Sequence, residues 1–190
     1  MVVHDAKISF NVKFHNLYIC NHIVTYICVI ILNQFKMKPF ALEIKTGIQI
    51  QKPVHEVFEA IVDPTQMSNY FLAYGSGRME TGVELTWRFP EFDMDIPVRV
   101  GEVRKEEYVS YYWDNDKNEM FVEMTLTAKG NDTVVIVTEK GAENNEAGIK
   151  WLKENTEGWA NFLACLKAWL DHGINLRKGA FDYLFNNSNK

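Results

Sequence analysis

Few residues in this sequence have the types and spacing that catalysis or metal binding requires. The histidines are scattered along the chain at His4, His15, His22, His55 and His172. None belongs to a recognisable metal-ligand motif, so we expect neither a metal site nor a cofactor. His55 falls in the first turn of one predicted helix. His172 falls in the last turn of another, where a cation interacts favourably with the helix dipole.

The carboxylates closest to a catalytic pattern are Asp93 and Asp95, which are two residues apart and therefore share one face of a predicted strand. That face is opposite to the apolar one and should be wet. Acid–base pairs need carboxylates that converge in a cleft, so this pair is better explained as charge that blunts an exposed strand. Glu139 and Arg88 are interpreted as solvated surface charges. We therefore predict no catalytic residue.

The strongest positive signal is aromatic. The aromatic residues on the predicted inward sides are Phe40, Phe58, Tyr70, Phe71, Trp87, Phe89, Tyr111, Trp113, Trp159, Phe162 and Trp169. Either they fill the interior, or they leave a cavity of at least ~300 Å³ with aromatic walls and a few polar tips. For a cavity, the predicted ligand-binding residues are Trp87, Phe89, Tyr111, Trp113, Met124, Trp159 and Leu163. Tyr111 or Trp113 would supply directional hydrogen bonds.

Composition and charge narrow the class of protein. The chain has 190 residues, of which 47% are hydrophobic and 24% charged, as is typical of a folded soluble protein with one core. A net charge of −5 without dense runs of Lys and Arg disfavours nucleic acid as a partner. Cys20, Cys28 and Cys165 form no CxxC spacing, and Cys165 falls in a predicted buried stripe. We expect a protein of the reducing cytoplasm.

Residues 1–37 differ in kind from the rest of the chain. Residues 1–36 contain a single acidic residue, Asp5, and an apolar run over residues 23–32. That run is about half the length of a membrane span, and the segment lacks the basic start and cleavage site of a signal peptide. We predict that residues 1–37 are an extension outside the native domain and that Met37 is the natural start. A membrane or export role, or an extra element packed on the domain, are the alternatives.

The domain is predicted to span residues 38–185, followed by a tail at 186–190. Alternating apolar residues over 44–50 indicate a strand, and Pro53 then starts a helix that ends at Asp63. A second short helix should run from Pro64 to about Phe71. Strand-like runs at hairpin spacing follow and predict an antiparallel sheet. Their inward residues should be Val83, Leu85, Trp87, Phe89, Met94, Ile96, Val98, Val100, Val109, Tyr111, Trp113, Val122, Met124, Leu126, Val135 and Val137.

A long helix should close the domain. It begins between Asn144 and Thr156, ends at Gly173, and carries an apolar stripe with helical spacing. The stripe consists of Trp159, Phe162, Leu163, Leu166, Trp169 and Leu170. Because this stripe needs a large apolar partner, we predict an α+β fold. A curved antiparallel sheet of about six or seven strands would grip the helix, with two short helices after the first strand. Gly101 should mark a bulge or a close approach of two backbones, and residues 181–185 could form a short extra turn.

This order of elements resembles the helix-grip, or START-like (SRPBCC), superfamily. The strand and proline-started helix over residues 50–58, followed by Asp63-Pro64 and Asn69-Tyr70-Phe71, are similar to the opening of homologues of the C-terminal domain of the heat-shock-protein ATPase activator. The downstream matches are Gly101-Glu-Val103, residues 107–113, Gly130 with Thr133, and Gly158-Trp159 with Leu163 and Leu166. The departures are Tyr70, where Trp is usual, and the acidic residues 91–95.

The resemblance implies three functions. The first is a non-enzymatic domain that holds a small apolar or lipid-like molecule between sheet and helix. The second is a co-chaperone-like stimulator of a heat-shock ATPase, which would make that ATPase its partner. The third is an enzyme of the polyketide-cyclase type, which requires an inward His, Asp or Arg that the predicted inward set lacks.

Overall fold

The computed structural model describes residues 41–91, 94–115 and 118–185. The predictions for residues 1–37 and 186–190 lie outside this part of the chain, as do those for Phe40 and Asp93.

Seven strands and four helices form the described part of the chain. The strands are β1 (Glu43–Ile50), β2 (Tyr74–Gly75), β3 (Glu84–Arg88), β4 (Ile96–Arg104), β5 (Tyr108–Asn115), β6 (Asn118–Lys129) and β7 (Asp132–Lys140). The helices are α1 (Val54–Val62), α2 (Pro64–Met67), α3 (Glu146–His172) and α4 (Asp182–Phe185). The predicted α+β class is confirmed. No helix in the described ranges is both long and apolar enough to cross a membrane.

The strands form one antiparallel sheet in the order β1-β7-β6-β5-β4-β3-β2. Consecutive hairpins build its centre from β3 to β7, and β1 returns to pair with β7. This arrangement places the first strand of the domain beside the last one, so α3, which follows β7, begins next to the edge strand β1.

A bulge in β4 bends the sheet. The register with β5 shifts between Val100 and Val103, and a Cβ on Gly101 would lie 2.7 Å from the hydroxyl oxygen of Ser110. That hydroxyl instead accepts a hydrogen bond of 2.9 Å from the backbone N–H of Glu102. The bulge predicted at Gly101 is confirmed, and its cause is the close approach of the two strands.

The predicted inward residues lie mostly in the core. The buried ones are Leu85, Trp87, Phe89, Val98, Val100, Val109, Tyr111, Val122, Met124, Leu126, Val135 and Val137. Val83, Ile96 and Trp113 are partly buried against them. The prediction was wrong for Met94, which is 58% exposed because β4 begins only at Ile96.

Strand β7 holds the main departure from the sequence interpretation. Thr133, Val135, Val137 and Glu139 are all fully buried, which confirms the inward direction of the two valines. The prediction that Glu139 is a solvated surface charge was wrong. Side chains alternate across a strand, so the carboxylate lies on the same face as the valines. Arg88, by contrast, is exposed and forms an ion pair with Asp95.

Helix α3 begins ten residues before Thr156, the later of its two predicted limits. The side chain of Asn145 caps it by accepting a 2.9 Å hydrogen bond from the N–H of Gly148. Gly173 ends it in the left-handed conformation, with φ of 68°. The early start adds Trp151 to the buried side of the helix. Of the predicted stripe, Trp159, Phe162, Leu163 and Leu166 are buried together with Cys165, whereas Trp169 and Leu170 are only partly buried.

Polar contacts tie the C-terminal end of α3 to the end of β1. The Asp171 carboxylate accepts a 2.9 Å hydrogen bond from the backbone N–H of Gln51. The ammonium of Lys167 forms an ion pair with Asp171 and donates to the carbonyl of Gln49 at 2.9 Å. The helix is therefore held near its C-terminus to the end of β1.

Candidate functional site

A cavity of about 760 Å³ lies between α3, the sheet and the segment that follows α3. The helix contributes Glu154, Asn155, Glu157, Gly158, Trp159, Asn161 and Phe162. The sheet side contributes Phe71, Phe89, Glu91, Ile96 and Trp113, and the C-terminal segment contributes Arg177, Phe181 and Tyr183. The cavity wall therefore combines many aromatic rings with a few carboxylates and amides.

The predicted ligand-binding residues fall into two groups. Phe89, Trp113 and Trp159 line the cavity. Trp87, Tyr111, Met124 and Leu163 are at most 2% exposed and lie in the core, away from the cavity wall. The rings of Trp87 and Tyr111 pack edge to face with centroids 5.1 Å apart. The interior is thus filled over the centre of the sheet and open at one end.

Glu139 lies directly behind the cavity wall and holds two of its indoles. Its Oε1 accepts a 2.9 Å hydrogen bond from the Nε1 of Trp113. Its Oε2 accepts one of 2.7 Å from the Nε1 of Trp159 and one of 3.1 Å from the Nδ2 of Asn155. A buried carboxylate is stable only when its lone pairs are satisfied, and these neutral N–H groups satisfy them. The carboxylate fixes the orientation of three residues on the wall.

The charge of Glu139 also affects the pKa of a neighbouring residue, Tyr111. Burial raises the pKa of the Tyr111 hydroxyl well above its usual value, and the nearby carboxylate of Glu139 raises it further. Tyr111 therefore keeps its proton. Its hydroxyl oxygen is buried and has no hydrogen-bond partner in the described part of the chain.

Arg177 holds the C-terminal segment against the rest of the cavity. Its Nη2 donates a 2.6 Å hydrogen bond to the Oε2 of Glu91, and the two side chains are only 14% and 10% exposed. The guanidinium also lies 5.6 Å from the ring centroids of Phe71 and Phe89 and 5.2 Å from that of Phe181. This ion pair and its aromatic neighbours make the segment after α3 a wall of the cavity.

Gly158 opens the cavity from the helix side. A Cβ at this position would meet no atom within 4 Å, although glycine costs a helix interior about 1 kcal/mol relative to alanine. Neighbouring atoms therefore do not require a glycine here. Its effect is to leave free space between Glu157 and Trp159 on the wall of the cavity.

The sequence interpretation missed several residues of the site, although the sequence pattern indicated where some of them would point. Glu139 follows Val135 and Val137 at the period of a strand, which points it inward. Asn155 and Trp159 are four residues apart and therefore share one side of the helix. Arg177 and Glu91 are 86 residues apart, and nothing in the local pattern links them.

Comparison with known proteins gives the family. Residues 51–171 match the family described as activator of Hsp90 ATPase homolog 1-like protein. The chain belongs to this family. The match spans most of the described domain, from the end of β1 to the last turn of α3, and it confirms the resemblance predicted from sequence. A search among curated proteins found no match.

Several solved structures have a fold similar to that of this chain. Protein SSP2350 from Staphylococcus saprophyticus is 29% identical, with a TM-score of 0.63, over 72% of this chain and 96% of that one. The Aha1 dimer from Colwellia psychrerythraea is 19% identical, with a TM-score of 0.59, over 70% and 98% of the two chains. CalU16 from Micromonospora echinospora is 18% identical, with a TM-score of 0.57, over 70% and 78%. The last two show the fold alone.

The described acidic residues do not form a metal site, and Cys165 is part of the core. Among the described residues, no group of three or more His, Cys, Asp or Glu side chains is placed to hold a metal ion. Burial raises the pKa of the Cys165 thiol, which packs as a small core residue in the α3 stripe.

Proposed function

We propose that the domain at residues 38–185 binds a small hydrophobic or lipid-like molecule in the cavity beside α3. The observation that carries this proposal is an open cavity of about 760 Å³ whose wall includes seven aromatic side chains. Pockets for drug-sized ligands commonly measure ~300–1,000 Å³ and are lined by apolar and aromatic groups with a few polar ones. A free buried thiol at Cys165 supports a reducing cytoplasm as the location.

Binding would come mainly from apolar surface removed from water, at about 25 cal/mol per Å². The structure changes which residues we expect to form directional hydrogen bonds with the ligand. The indole N–H of Trp113 is already donated to Glu139, and Tyr111 does not lie on the cavity wall. The amide groups of Asn155 and Asn161, which do line the cavity, take that role in our proposal.

Filling the cavity from Gly158 tests this proposal. In Gly158→Leu, the new side chain enters the open space on the wall, so we expect affinity for the neutral fluorophore N-phenyl-1-naphthylamine to fall about tenfold or more. Its fluorescence in a titration of the full chain measures this affinity. Helix stability should rise by up to about 1 kcal/mol, because a glycine is removed from the interior of α3.

Gly158→Ala is the matched variant, since it makes the same change to the helix with a much smaller side chain. It should gain stability and keep most of its affinity. If the fluorophore does not bind the wild-type chain, or binds Gly158→Leu as tightly as wild type, ligand binding in this cavity is disproved.

Stimulation of a heat-shock ATPase is the second candidate, and the family match over residues 51–171 favours it. It predicts that the ATP turnover of an isolated chaperone of the Hsp90 class rises with the concentration of this protein and saturates. A coupled assay of released phosphate measures the rate. A flat titration would rule out this function, and Gly158→Leu should not alter the stimulation if the cavity serves a separate ligand.

The cyclase-type enzyme has less support from the site. Arg177 does lie on the cavity wall, but its guanidinium is bound to Glu91 and surrounded by three aromatic rings. Glu139 binds Trp113, Asn155 and Trp159. Both charged groups therefore hold the wall in place, and we assign neither a catalytic role.

A further inference from the structure

We propose that the ligand of this cavity is an apolar cation, such as an amine or a quaternary ammonium group attached to a hydrophobic body. The inference rests on the proposed binding function and adds the charge of the ligand. Three observations on the described residues support it: the charges on the wall, the indole faces and the buried carboxylate behind them.

The charged groups on the wall favour a cation. Glu91, Glu154 and Glu157 line the cavity together with one basic residue, Arg177. The ion pair with Glu91 already uses the charge of Arg177. Glu154 and Glu157 lie on the cavity side of α3, three residues apart on an exposed part of the helix, where Glu154 forms a solvent-exposed ion pair of 3.9 Å with Lys150. An anionic ligand would meet their repulsion, whereas a cation would be attracted to the mouth of the cavity.

The wall also carries the indole rings of Trp113 and Trp159, and a cation is attracted to aromatic rings of this kind. The rings of Trp113 and Trp159 lie 5.7 Å apart and are inclined by 38°, and both line the cavity. A cation over an aromatic face is attracted to the ring, most strongly for Trp, by about 0.5–1 kcal/mol when exposed and about 2 kcal/mol when desolvated. Phe162 extends the same surface, whereas Phe89 and Phe181 already face the guanidinium of Arg177.

Glu139 strengthens this attraction. Both indole N–H groups donate to its carboxylate, and a hydrogen bond to an anion pushes electron density into the ring. The negative charge itself also lies behind the two rings, in a region from which water is excluded, so it is weakly screened. A buried carboxylate bound by neutral donors thus makes one end of the cavity negative without occupying its volume.

Competition between probes of equal chain length tests the inference. Decyltrimethylammonium, decanol and decanoate, each below its micelle concentration, are titrated against N-phenyl-1-naphthylamine bound to the full chain. We expect decyltrimethylammonium to displace the fluorophore at a concentration about tenfold lower than decanoate. Its advantage over decanol should shrink as salt is added, because the exposed carboxylates are screened.

Charge variants localise the effect. Glu154→Gln/Glu157→Gln should reduce the affinity for decyltrimethylammonium by about threefold to tenfold and leave that for decanol unchanged. Glu80→Gln/Glu107→Gln is the matched control, because it removes the same charge at two exposed positions that do not line the cavity. It should change neither affinity.

The outcomes separate this inference from the proposed function. If the fluorophore binds and decanoate displaces it as well as decyltrimethylammonium does, the cationic ligand is disproved while binding in the cavity stands. An equal loss of ammonium affinity in the control variant also disproves it, because net charge alone would then explain the preference. If neither the fluorophore nor any decyl compound binds, the proposed function itself fails.

Discussion

Glu139→Ala is expected to lower the free energy of unfolding by about 3–5 kcal/mol, because each buried N–H group left without an acceptor costs about 1–3 kcal/mol. The variant removes the acceptor of Trp113, Asn155 and Trp159 at once. Urea denaturation followed by circular dichroism measures the loss. The indole bands in the near ultraviolet should change with it, since both rings lose their orientation.

A second substitution keeps this prediction testable if the alanine variant does not fold. Glu139→Gln preserves the volume and keeps one oxygen acceptor. Its amide oxygen can accept a hydrogen bond from N–H donors on one side, but its amide NH2 would face an N–H donor on the other side and cannot accept from it. Its stability should lie between those of wild type and Glu139→Ala. Glu119→Ala, at an exposed carboxylate of the same sheet, should leave the denaturation midpoint nearly unchanged. A loss below about 1 kcal/mol in Glu139→Ala would contradict the proposed importance of the network.

Arg177→Met is expected to release the C-terminal wall of the cavity. Methionine keeps an apolar side chain near the three phenylalanine rings but leaves the carboxylate of Glu91 unpaired while only 10% exposed. Breaking a buried ion pair by removing one partner costs about 3–5 kcal/mol, which is on the order of 100-fold or more in the equilibrium between closed and open states. Because the segment lies at the end of the domain, most of this change should appear as local opening.

Hydrogen exchange measures that opening directly. Amide protons that are protected in residues 174–183 of wild type should exchange on the order of 100 times faster in Arg177→Met, while those in β5 and β6 keep their rates. In Arg177→Met/Glu91→Gln no charge is left unpaired, so part of the protection should return. If the double variant exchanges no more slowly than Arg177→Met, the ion pair does not hold the wall.

The two predictions concern different parts of one site. Glu139 orients the helix and sheet sides of the cavity through Trp159 and Trp113, and Arg177 holds the third side. Loss of either should weaken binding of a neutral fluorophore, although neither group needs to touch the ligand. For these variants, folding must therefore be measured together with binding.

The elements of this domain were largely predictable because each is encoded locally. Alternation over residues 83–89, the proline at position 53, and the apolar stripe from Trp159 to Leu166 all depend on neighbours a few residues away. Errors in the predicted elements arose where an element began or ended. Helix α2 ends at Met67 instead of about Phe71, and β4 starts after Met94.

The sequence by itself determined that an aromatic-rich antiparallel sheet must grip a long helix, and it identified the family, because short-range periodicity and the order of elements suffice for both. Only the tertiary structure determined where a cavity remains between the helix and the sheet. Trp87 and Tyr111 share the alternation of Trp113 but lie in a filled core, whereas Trp113 borders a cavity. The physical reason is that a cavity depends on distances between elements far apart in sequence.

Glu139 illustrates the same limit. As a charge at the end of a strand it looked solvated, and only the approach of Trp113 and Trp159 from two other elements makes its burial stable. Local pattern sets which way a side chain points, and long-range packing sets what it meets there.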